Sequence, residues 1–152
     1  MQRDNGWISR QLPRMDMTSP PEDFRKRLAE LREALLRLSK ALIDSERVGY
    51  EQTIGRISSP NHFLQLVMND PWFAWLHPLS QLIVAMDEAL DAKAPLTAAG
   101  ADLLVKQARN LLVVAESGGG FAHHYFIALQ RDPDVVLAHA EAAKILKSRK
   151  PA

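Results

Sequence analysis

Six apolar side chains, Phe24, Leu28, Leu31, Leu35, Leu38 and Leu42, recur at steps of four, three, four, three and four residues. In an α-helix this rhythm collects on one side; in a strand it would scatter over both faces. The stripe must be covered by other segments. Each buried leucine stabilises by ~1.5–3 kcal/mol. The opposite-charge pairs four apart on the other faces, Glu22/Lys26, Asp23/Arg27 and Glu33/Arg37, add only ~0.2–0.5 kcal/mol each. The stripe therefore decides the fold class, and the pairs merely keep its back soluble.

The chain also marks where its helices begin. A capping residue stands directly before proline at Ser19-Pro20, Ser59-Pro60, Asp70-Pro71 and Asp132-Pro133. Ser and Asp oxygens accept bonds from the free N–H groups of a first turn. Proline in the next position gives up an N–H that has no intrahelical partner. Ser19 with Glu22 forms a capping box, and Thr97 marks a weaker start. Helix one is predicted from about Pro20 to Ile54, long enough at ~50 Å for part of it to project, with Gly55 as its stop. A short helix follows from Pro60 to about Asn69.

A longer helix is expected from Asp70-Pro71 to near Ala92. Trp72, Trp75, Leu76, Leu79, Leu82, Ile83, Met86 and Leu90 recur within it at helical spacing. Pro78 interrupts this pattern and predicts a kink, with a break and fresh start at Pro78 as the alternative. A further helix covers about Ala98 to Glu116, with Leu104, Ala108, Leu111 and Ala115 inward. Ser117-Gly118-Gly119-Gly120 ends it. A short helix to about Arg131 and a last one from Pro133 to about Lys147 complete the chain. Val135, His139, Ala142 and Leu146 face inward on the last helix. The expectation is an all-α, antiparallel four-helix-type bundle with additional short helices and a kinked second helix. Residues 1–18 read as a flexible arm and 19–149 as one bundle domain.

Composition narrows the function classes. Among 152 residues cysteine is absent, so no thiol nucleophile or zinc–thiolate site is possible. The formal net charge is +1, without the basic excess of a nucleic-acid binder. Residues 59–140 carry four basic and eight acidic side chains, and the basic excess is in the tail, at Lys144, Lys147, Arg149 and Lys150. Those cations complement a helix C-terminus. No apolar run approaches the ~20 residues of a membrane span, and a cytoplasmic setting is expected.

Candidate chemistry is sparse. None of His62, His77, His123, His124 and His139 has an Asp or Glu three or four residues away, which argues against a di-iron pattern. No metal ligand set and no cofactor are expected. The triple glycine before a helix lacks the Walker lysine and the Rossmann spacing. Asp87, Glu88 and Glu116 read as surface salt-bridge partners of helix one or Arg109. No catalytic residue is assigned, and an enzyme is not expected.

The most unusual segment is Asp70-Pro71-Trp72-Phe73-Ala74-Trp75-Leu76-His77-Pro78, apolar on nearly every face. It must be buried all round or meet something else. Two uses are open: a plug at one end of the bundle, or a contact surface of Trp72, Phe73, Trp75 and Leu76. The run from Asp70 to Ser80, with the earlier GYEQTIG, resembles small uncharacterised all-helical proteins of bacteria. That resemblance implies a stand-alone helical domain and carries no activity.

The expected function is that of a non-enzymatic helical protein acting through protein–protein interaction or self-association. The stripe of helix one and the Trp72–Trp75 segment would supply the contacts, and a homo-oligomer is expected. The alternative is a small-molecule or metal/haem binder with a pocket at the Pro78 kink, lined by Trp75, His77, Tyr125 and His139.

Overall fold

The computed structural model describes residues 21–93 and 95–148, and every regular element among them is helical. In chain order these are α1 (Pro21–Thr53), α2 (Pro60–Asn69), a 3-10 segment (Pro71–Leu76), α3 (His77–Asp91), α4 (Ala98–Leu111), α5 (Phe121–Arg131) and α6 (Pro133–Ser148). The expected arm, residues 1–18, and Ser19, the cap of the expected capping box, lie outside the described residues.

The capping pairs work as the sequence indicates. Ser59 Oγ accepts from the His62 N–H at 3.0 Å, Asp70 Oδ1 from the Trp72 N–H at 2.9 Å and Asp132 Oδ1 from the Asp134 N–H at 2.9 Å. Thr97 Oγ1 does the same for Gly100. Each bond satisfies one of the free N–H groups of a first turn. α1 ends where the Tyr50 carbonyl accepts from both Ile54 and Gly55. Gly55 has φ +158° there, a conformation other residues rarely adopt.

α1 is the axis. Its leucines at 28, 31, 35, 38 and 42 are fully buried, and α3, α4 and α6 all pack against it. The direction of packing follows from cross-links. Arg25 donates to the Leu90 carbonyl and Arg32 pairs with Asp87 at 3.0 Å, whereas Tyr50 meets Trp72 and Phe73. The 3-10 segment and α3 therefore run back along α1. Arg37 with Glu141, and Leu31 beside Leu146, show that α6 does so too. The contacts extend from Arg25 to Tyr50, so this span of α1 does not project. Burial of its stripe also corrects the expectation that the stripe serves a partner.

Two elements depart from expectation. Pro78 does not kink a continuous helix. The chain runs as a 3-10 helix to Leu76 and as α-helix from His77, with Pro78 in the first turn of α3. Proline is tolerated there because its missing N–H has no i−4 partner to lose. This is the alternative of a fresh start at Pro78. α4 stops at Leu111 and not near Glu116. Its buried stripe is Ala101, Val105, Ala108 and Leu112, and the next residues, Val113 and Val114, are exposed. With no core to cover them, two β-branched residues before a glycine run have little reason to stay helical. The Ala115 N–H instead bonds the Ala122 carbonyl.

Candidate functional site

The Trp72–Leu76 segment begins at the Asp70 cap and turns as a tight 3-10 helix, which sends its side chains to several elements. Phe73 and Leu76 go into the core. Phe73 meets Tyr50 of α1 at 5.9 Å between ring centroids and Phe63 of α2 at 6.0 Å. These two were expected on a contact surface; their burial removes them from it. Trp72 is half-buried, edge-on to Tyr50 at 5.8 Å. A Cβ at Gly49 would lie 3.4 Å from its indole, an ordinary contact distance, so the ring packs directly on this turn of α1. The Trp72 Nε1–H is buried without a hydrogen-bond partner among the described residues. Trp75, also half-buried, stacks on His124 at 5.2 Å and meets Phe121 at 5.3 Å, both on α5.

A second cluster continues from there. Phe121 touches Tyr125 at 5.5 Å, and the Tyr125 hydroxyl lies 2.5 Å from His139 Nδ1 on α6. Burial pushes the Tyr125 pKa up and the His139 pKa down, so both groups are held neutral. One hydrogen bond between the hydroxyl and the ring nitrogen therefore joins two uncharged groups. The structure thus joins two residues of the expected pocket, Tyr125 and His139, and links them through Phe121 to Trp75. His77 makes a different contact: its Nε2 lies 3.3 Å from the Val67 carbonyl at the end of α2. Tyr125 is fully buried, so it fills space between α5 and α6 and does not line an opening.

The remaining candidates hold the fold. Asp87 pairs with Arg32 of helix one, as expected. Arg109 caps α6 by donating to the Leu146 carbonyl at 2.9 Å. Gly118, at φ +99°, and its neighbours form the turn before α5. No group of three or more His, Asp or Glu side chains is placed to hold a metal ion among the described residues.

One cluster escaped the sequence reading. Arg131, at the end of α5, donates to Ser45 Oγ from Nε at 3.1 Å and from Nη2 at 2.9 Å, and to Glu46 Oε2 at 2.9 Å. Ser45 and Glu46 are buried in α1. A signal was present: Ser45 stands three residues after Leu42, where the heptad rhythm calls for another apolar side chain.

α2 differs from the other helices. None of its ten residues is buried. Phe63 anchors it against Phe73, with the Arg47 guanidinium 4.8 Å above the Phe63 ring. Its outer side leaves Leu64 53% and Met68 57% exposed, one turn apart. No family model, no curated protein and no solved structure matches the chain.

Proposed function

We propose that this chain is a non-enzymatic helical protein that works by protein–protein contact, self-association included. The observation that carries the reading is the outer face of α2. A ten-residue helix is too short to persist alone in water, and this one buries no residue of its own. It is nevertheless held in place by Phe63, Arg47 and His77, and it presents Leu64 and Met68 to solvent. A monomer gains nothing from those two side chains, whereas a partner covering them would. The finer architecture belongs to the proposal as well: α1, α3, α4 and α6 as an antiparallel four-helix bundle, with α2, the 3-10 segment and α5 added. So does a cytoplasmic setting, which the cysteine-free composition suits.

Leu64→Glu/Met68→Glu tests it. Both positions are exposed, so helicity should be unchanged. Affinity purification and sedimentation should show an associated protein, or a second copy, with the wild type and not with the variant. Equal retention by both chains, or by neither, would reject α2 as the contact. The small-molecule or metal/haem alternative draws its support from Tyr125 and His139, but His139 Nδ1 is already taken by the tyrosine. A rise in melting temperature with zinc, or a haem absorbance band after reconstitution, would favour that alternative.

A further inference from the structure

Two helices carry outer faces that match each other. On α3 the side opposite the core presents Gln81, Val84, Glu88 and Asp91, all exposed, with Val84 53% accessible. On α6 the corresponding side presents Leu137, Ala140, Lys144 and Lys147, with Leu137 67% accessible. Both sets follow one spacing: a first residue, then three, seven and ten positions on. Both are uncharged in the first half and charged in the second, acidic on α3 and basic on α6. None of the four charged side chains is in an ion pair among the described residues, although Asp87 on α3 and Glu141 on α6 are each paired with α1.

We propose that these faces are the two halves of one self-assembly contact, in which α3 of one copy lies parallel to α6 of the next. Parallel alignment sets Gln81 against Leu137, Val84 against Ala140, Glu88 against Lys144 and Asp91 against Lys147. The antiparallel alternative sets Leu137 against Asp91 and Lys147 against Gln81, and loses every charge match. Parallel alignment also suits the molecule, because α3 and α6 both run counter to α1. An open depression of about 510 Å³ lies along the α6 face, lined by Ala140, Ala143, Lys144 and Lys147. It offers room for the Val84 ridge. A net charge of +1 sets up little repulsion between copies. Since the two faces differ, the contact is heterologous and produces a ring or an open chain, not a two-fold dimer. The inference rests on the self-association half of the proposed function and uses a different surface from α2.

Charge reversal tests it on the full chain. Glu88→Lys/Asp91→Lys and Lys144→Glu/Lys147→Glu should each keep wild-type circular dichroism, since all four positions are exposed. In low salt, light scattering should show that each weakens assembly by roughly tenfold or more. Mixing the two variants, or combining all four changes in one chain, should restore it. Reversed variants that assemble like the wild type overturn the proposal, and so does failure of the mixture to recover. If only Leu64→Glu/Met68→Glu abolishes assembly, the α2 reading stands and this one falls. A wild type that stays monomeric overturns it, and one that also pellets with phosphatidylglycerol vesicles assigns the lysines to a membrane surface.

Discussion

His139 shows how one position can carry two meanings. The helical period placed it inward with Val135, Ala142 and Leu146, and it does meet the core, through the Tyr125 hydroxyl. That the partner would be a tyrosine fourteen residues upstream was not readable, because it depends on how α5 and α6 pack. The consequence is a pH effect of definite sign. Burial lowers the His139 pKa below its unfolded value of about 6.5. The unfolded chain then takes up the proton first. The stability tied to the neutral imidazole is complete above that value and is lost as the pH falls through it toward the folded pKa. His139→Gln retains an acceptor for the hydroxyl but cannot titrate. Its melting temperature should fall less than that of the wild type between about pH 7.5 and about pH 5.5. The other four histidines are common to both chains, so the difference isolates this one. Parallel pH profiles would mean that His139 is not the group responsible.

Helices are started locally and finished by their neighbours. Ser59, Asp70, Thr97 and Asp132 cap first turns with their own side chains, so those boundaries were legible from short stretches. The end of α4 and the change of helix type at Pro78 were not, because both depend on which residues find a core to enter. α5 shows the same dependence. Its eleven residues follow a glycine with no side-chain cap, and Arg131 ties its far end to Ser45 and Glu46 of α1. Arg131→Ala would leave a nearly buried carboxylate and a buried hydroxyl without their donor. The expected loss is about 2 kcal/mol, read from urea midpoints. Amide exchange should quicken in α5 more than in α3. A change confined to global stability, with α5 no faster than the rest, would show that the arginine is not its fastener.

The whole chain stands or falls on α1, which α3, α4 and α6 all use as their packing surface. Leu38→Ala removes a fully buried side chain from that surface and should cost about 2–5 kcal/mol. With one shared axis, far-ultraviolet circular dichroism and tryptophan fluorescence should report a single coincident transition in urea. Separate transitions would divide the molecule into units that do not depend on α1. The leucine rhythm and the proline-marked caps were enough to settle the helical class and several of the helix starts, since period and capping act over one or two turns. They could not tell which apolar residues would remain outside. Phe73 and Leu76 are buried, whereas Leu64, Val84 and Leu137 are left in water, yet all five are apolar and occur in helical segments. That division is made when helices choose neighbours, because burial belongs to a pair of facing surfaces and a linear pattern describes only one of them.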